Sequence, residues 1–207
     1  MQVGSDSDWA SVSTKVGHSV ALKTNRSLWT WGSNTSGQIG DNTVVNRLSP
    51  VRVGTDTWLS ASVGESHTVA VRADGSLWAW GNNGSGQLGT GNNDNSLRPV
   101  QVGTGTNWAS VSAGNFHSVA RKTNGELWAW GANSEGELGD GTTDYQSTPV
   151  QSGSGTADWA SVSTKVNHSV ALKTNRSLWT WGSNDSGQLG DNTVVNKSSP
   201  VHVGTDT

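Results

Sequence analysis

The sequence predicts an all-β protein assembled from four-stranded antiparallel sheets, and three observations carry that prediction. The stretch Ser27 to Gly40, S-L-W-T-W-G-S-N-T-S-G-Q-I-G, returns from Ser76, Glu126 and Ser177, at offsets of 49, 50 and 51 residues. A fixed period of that length marks a repeat architecture. The segments inside each period are short, bounded by Gly, Asn and Asp, and free of helical periodicity. Twelve tryptophans stand against one Tyr, one Phe and one Met. Each indole buries roughly 150–250 Å², so an aliphatic-poor core is built on tryptophan. Four short strands per roughly 50 residues are the pattern of a β-propeller blade.

With the first Trp of each unit as landmark, the repeats run 8–56, 57–106, 107–157 and 158–207. In the first, Trp9-Ala10-Ser11-Val12, His18 to Thr24, Ser27 to Gly32 and Val51-Arg52-Val53 read as strands. Gly37 to Gly40 and the polar stretch Asp41 to Ser49 read as turn and loop. Asn25-Arg26, with its counterparts Asp74-Gly75 and Asn124-Gly125, predicts a two-residue type I′ hairpin with positive φ at both positions. Pairing around it sets Leu22 opposite Trp29 and Val20 opposite Trp31 on one face, with Ala21, Thr30 and Leu28 on the other. A hairpin apolar on both faces belongs between two neighbouring sheets. Arg26 and Arg176 stand where glycine is expected, so these two turns are the least comfortable.

Residues in strict register describe the unit: Trp29, Trp31, Trp78, Trp80, Trp128, Trp130, Trp179 and Trp181, with His18, His67, His117 and His168. Both tryptophans of each pair are expected to be buried between adjacent sheets. One histidine per unit reads as a bridge between buried polar groups rather than a base or metal ligand. His202 falls outside the register and reads as an exposed strand residue. Asp140 to Asp144 lacks the alternating oxygens of a calcium loop. Glu135, Glu137, Asp140 and Asp144 gather four carboxylates, the currency of glycoside hydrolysis, yet Glu137 replaces a repeat glutamine and has no identifiable partner. No nucleophile elbow or phosphate-binding loop is present. The reading is therefore non-enzymatic, with no catalytic residue, metal or cofactor. Net charge is −3 with scattered charges, unlike a basic nucleic-acid surface. No apolar run of about 18 residues and no signal peptide occur. The absence of cysteine removes disulfides and thiolate chemistry and leaves the compartment open.

W-x-W-G-x-N-x-x-G-[QE]-[LI]-G, an upstream His-[ST]-Val-Ala and a downstream Pro-Val resemble the regulator of chromosome condensation repeat family over residues 8–207. The resemblance implies a β-propeller, typically seven-bladed, in which a blade borrows a strand from the adjacent repeat. Members include a chromatin-bound exchange factor for a small GTPase, a plant ultraviolet-B photoreceptor and many bacterial arrays. The exchange factor relies on insertions that no loop here is long enough to hold. The photoreceptor's Trp-Arg before the histidine is replaced by Val16-Gly17, Glu65-Ser66, Asn115-Phe116 and Val166-Asn167.

Repeats 1 and 4 differ only at positions 17, 35, 39, 47, 48 and 52 across 8–57, leaving 44 of 50 residues identical. Gln2-Val3-Gly4 copies Gln101-Val102-Gly103, so both ends read as cut from a longer array. Four blades fall short of a ring. The expectation is an interaction scaffold that self-associates, a homodimer giving 4 + 4 = 8 blades, with a further protein partner open and no nucleic-acid or membrane partner. The alternative is a glycan or small-ligand module using the loops around Asn34, Asn83, Asn133 and Asn184.

Overall fold

The computed structural model describes residues 5–153 and 155–204; the Gln2-Val3 remnant lies outside them. Sixteen strands form four sheets. The first holds β1 (Trp9–Thr14), β2 (His18–Lys23), β3 (Leu28–Gly32) and β4 (Arg47–Arg52). The second holds β5 (Trp58–Val63), β6 (His67–Arg72), β7 (Leu77–Gly81) and β8 (Ser96–Gln101). The third holds β9 (Trp108–Ala113), β10 (His117–Lys122), β11 (Leu127–Gly131) and β12 (Gln146–Ser152). The fourth holds β13 (Trp159–Thr164), β14 (His168–Lys173), β15 (Leu178–Gly182) and β16 (Lys197–Val203). Each sheet is an antiparallel meander of consecutive strands. Among the described residues no helix occurs, hence none long and apolar enough to cross a membrane.

The hairpin between β2 and β3 differs from the two-residue turn that the sequence suggests. Lys23 N donates to Ser27 O at 3.1 Å, and Arg26 N donates to Lys23 O at 2.8 Å. The loop thus spans three residues, Thr24-Asn25-Arg26, and only Arg26 has positive φ, at 65°. Asn25 keeps an ordinary backbone because its Oδ1 accepts hydrogen bonds from Ser27 N at 3.0 Å and Ser27 Oγ at 2.7 Å. This is the type I turn closed by one left-handed residue.

The extra loop residue shifts the pairing. Leu22 faces Leu28, Ala21 faces Trp29, Val20 faces Thr30 and Ser19 faces Trp31. A one-residue slip moves every side chain to the other face. Trp29 and Trp31 consequently share a face with Ser19 and Ala21, while Val20, Leu22, Leu28 and Thr30 occupy the opposite one. Each blade is one face aliphatic and one face tryptophan.

Stacking joins unlike faces. Val20, Leu22, Leu28 and Val53 of blade 1 pack on Trp58, Ala70 and Trp80 of blade 2. Val69, Val71, Leu77 and Leu88 of blade 2 pack on Trp108, Ala120 and Trp130 of blade 3. Val119, Leu127, Ala129 and Leu138 of blade 3 pack on Trp159, Ala171 and Trp181 of blade 4. The core is three copies of one interface.

Candidate interaction surface

The two tryptophans of a pair have different environments, contrary to the expectation of joint burial. The second of each pair, Trp80, Trp130 or Trp181, is fully buried. Its Nε1 donates to the carbonyl of Gln38, Gln87 or Glu137 in the preceding blade, at 2.9 Å each time. The first (Trp29, Trp78, Trp128, Trp179) is half-buried, because it sits near the hairpin turn at the blade's edge. Its Nε1 donates to Ser27, Ser76, Glu126 or Ser177 at 2.8–3.1 Å. A cation covers its ring, closest for the Arg72 guanidinium, 3.5 Å from the Trp78 centroid. Such a contact contributes roughly 0.5–1 kcal/mol at an exposed site.

The register histidines bridge blades. His18 Nε2 lies 3.0 Å from Thr68 Oγ1, His67 Nε2 2.9 Å from Ser118 Oγ, and His117 Nε2 3.4 Å from Ser169 Oγ. Each hydroxyl donates its one proton to the Gln38, Gln87 or Glu137 carbonyl at 2.8–3.1 Å. The imidazole therefore donates from Nε2, which fixes the neutral tautomer. Burial pushes the His18 pKa down to about 4 and that of His117 to about 3, and holds His67 well below its ordinary value. His168, at the end of the series, is only half-buried and less depressed. His202 is a half-buried residue of β16 whose ring lies against Trp179, centroids 5.4 Å apart.

The residues offered as ligand contacts are occupied internally. Asn34, Asn83, Asn133 and Asn184 are fully buried. In blade 1, Asn34 Nδ2 donates to Thr43 O at 2.9 Å while Oδ1 accepts Ile39 N at 2.9 Å. The other three repeat this brace. They present no polar edge to a glycan. Asp140 Oδ1 accepts Thr142 N at 2.9 Å, and Glu137 Oε2 accepts Glu135 N at 2.8 Å. Among the described residues no group of three or more His, Cys, Asp or Glu is placed to hold a metal.

What remains open is at the two ends of the stack. Trp9 and Trp31 of blade 1 are half-exposed where their counterparts are buried. On blade 4, Leu172 is 40 % exposed where Leu22 is 6 % exposed. A Cβ added at Gly40 would meet Trp80 Nε1 at 2.6 Å, but at Gly190 the nearest atom is Val203 Cγ1 at 3.5 Å. Blade 1 offers a tryptophan face and blade 4 an aliphatic face, the two halves of the internal interface.

The family model for the regulator of chromosome condensation (RCC1) repeat matches residues 27–71, 74–121, 124–172 and 177–207. A second model for the same repeat matches 9–38, 59–87, 108–137 and 159–188. The chain belongs to the RCC1 repeat family. No individual curated protein matches it by sequence. Among solved structures, human WBSCR16 superposes with a TM-score of 0.87 at 21 % identity, over 100 % of this chain and 55 % of that one. Prp20p from Saccharomyces cerevisiae, whose binding to Gsp1p and histones accompanies its structure, gives 0.83 at 20 %, over 96 % and 51 %. The same yeast protein with Kap60 bound gives 0.82 at 21 %, over 99 % and 51 %. These likenesses fix the β-propeller fold. The chain spans about half the length of each structure.

Within these RCC1 repeats, one participant escaped the sequence reading: the backbone carbonyl of Gln38, Gln87 and Glu137, which accepts both the indole and the hydroxyl of the next blade. Its signal was the fixed spacing of Q-L-G behind the Trp pair, but a carbonyl leaves no mark on residue identity. Lys15 also escaped. Its Nζ donates to Ala113 O of blade 3 at 2.7 Å, and burial, with Lys165 nearby, lowers its pKa to about 8.

Proposed function

We propose that this chain is a non-enzymatic interaction scaffold whose immediate partner is a second copy of itself. The observation that carries the reading is the pairing of an uncovered tryptophan face with an uncovered aliphatic face on one chain. Exposed apolar sheet faces are an aggregation hazard that propellers avoid by closing their ring. Two copies supply 4 + 4 = 8 blades and two equivalent junctions, a closed homodimer. Relative to a seven-bladed ring, the turn per blade changes from about 51° to about 45°, within the range of blade numbers propellers adopt. Near-identity of repeats 1 and 4 supports the same reading, since blade 4 closely duplicates the surface on which blade 2 sits. A protein partner of a different sequence would dock on the assembled ring.

Light scattering at micromolar concentration tests this. A mass near twice 21.6 kDa is expected, and a stable, soluble monomer overturns it. Larger open assemblies would retain the scaffold and discard the closed ring.

A further inference from the structure

We infer that the two ends of the chain carry complementary polar half-sites which dock a second copy head to tail, in one register. This rests on the self-association proposed above and specifies how it occurs. Every internal interface contains the same three polar links, and each link splits between a donor blade and an acceptor blade. At the ends of the stack, among the described residues, each link is present as one half only.

The first link is indole to carbonyl. Trp80, Trp130 and Trp181 each donate to the preceding blade's carbonyl at 2.9 Å. By register, Trp31 is the matching donor on blade 1 and the Gln188 carbonyl the matching acceptor on blade 4. Trp31 is half-exposed and Gln188 exposed, whereas Gln38, Gln87 and Glu137 are buried.

The second link is imidazole to hydroxyl. The series His18–Thr68, His67–Ser118 and His117–Ser169 continues from His168 to Ser19 of a second copy. Among the described residues, Ser19 Oγ has only an exposed contact with Thr14 Oγ1 at 3.2 Å. The third link joins neighbouring inner strands: Ser13 Oγ accepts Val63 N at 3.3 Å, Ser62 Oγ accepts Ala113 N at 3.1 Å and Ser112 Oγ accepts Thr164 N at 3.0 Å. Its continuation is Ser163 on blade 4 against Thr14 of the second copy; both residues are exposed.

Direction follows from the chemistry. Two blade 1 faces would bring together two Trp31 indoles and two Ser19 hydroxyls without the carbonyl and imidazole that pair with them in every internal interface. Two blade 4 faces would bring together two Gln188 carbonyls and two His168 imidazoles without the indole and hydroxyl. An unpaired buried polar group costs roughly 1–3 kcal/mol, so like-to-like docking is penalised at several positions together. Head-to-tail docking satisfies all three links, and two such junctions close an isologous pair of four-blade halves into one ring.

The natural absence of cysteine permits a direct test. Thr14→Cys and Ser163→Cys are made singly and together, and each protein is incubated with oxidised glutathione beside a wild-type mass measurement. The double variant is expected to form a covalent dimer. The equimolar mixture of single variants should form a cross-linked heterodimer, and each single variant alone should remain uncross-linked. Cross-linking of Thr14→Cys alone would mean like-to-like docking and overturn the inference. So would a dimeric wild type whose double variant stays uncross-linked, though self-association would survive. A covalent ladder would keep the junction and overturn two-copy closure. A monomeric wild type removes both readings. Trp31→Phe, which deletes only the indole donor, should weaken association roughly tenfold or more, because both junctions lose a hydrogen bond.

Discussion

Arg26 and Arg176 hold φ at 65° and 71°, in the region where a β-carbon crowds the following carbonyl. Gly75 and Gly125 occupy the equivalent positions in blades 2 and 3 with φ of 81° and 87°. Arg26→Gly should stabilise the chain by roughly 0.5–1 kcal/mol, the relief of strain being partly offset by the freer unfolded chain. A lower urea midpoint would overturn that. Glu137 is a carboxyl at a glutamine position, 1 % exposed. Gln38, Gln87 and Gln188 donate Nε2 to Ser33, Asn82 and Ser183, a partner that Ala132 cannot supply in blade 3. Burial raises the Glu137 pKa, with Glu135 adding to the rise. The folded state therefore holds this proton more tightly than the unfolded chain, and the penalty is present above the folded pKa and gone below the unfolded one. Glu137→Gln should raise stability at pH 7 and have little effect below about pH 4. An equal gain at both pH values would contradict the sign. The strained arginines were legible because the repeats supply their own comparison. The carboxylate's burial was not, since a surface Glu and a buried one read alike.

Strands were legible as elements, but their faces were not. The alternation in H-S-V-A-L-K and L-W-T-W-G establishes two strands whether the loop has two residues or three. Only Asn25, which braces Ser27 and so leaves Arg26 as the sole left-handed residue, decides which face carries the indoles. Its consequence is that Trp80, not the pair, is the interface anchor. Trp80→Ala should cost roughly 3–5 kcal/mol in urea unfolding, through lost burial and a cavity; half-buried Trp78→Ala should cost clearly less. Equal losses would mean the two indoles share one environment. The strands β2, β6 and β10 each begin with a buried neutral histidine. Below about pH 6.5 the unfolded chain takes up protons that the folded one refuses until about pH 4 at His18 and about pH 3 at His117. Stability should therefore fall as pH drops from about 6.5 to about 4, by up to about 1.4 kcal/mol per pH unit per histidine. His67→Gln retains a donor for Ser118 and should flatten that fall. An unchanged slope would mean that His67 is already charged in the fold.

Three copies of one interface, with its two halves uncovered at the ends, give the whole molecule a spectroscopic marker of assembly. Trp9, Trp29 and Trp31, three of the twelve tryptophans, lie on blade 1's outer face and are half-exposed. Covering that face by a second copy would bring Trp9 and Trp31 into the surroundings of Trp58 and Trp80, which are 1 % and 0 % exposed. Dilution should then shift the emission to longer wavelength with no change in strand content, because only indole solvation alters. Association also links stability to concentration, since the unfolded chain cannot occupy the junction. For a dimer, a hundredfold rise in protein concentration stabilises each chain by about 1.4 kcal/mol, and a domain of this size gains roughly 3–5 °C in Tm. Ser19→Lys would set an ammonium donor against the His168 imidazole donor and abolish that dependence while leaving the internal interfaces untouched. A Tm that is flat with concentration in the wild type, or concentration-dependent in Ser19→Lys, would show that the ends of the stack are not what joins the copies.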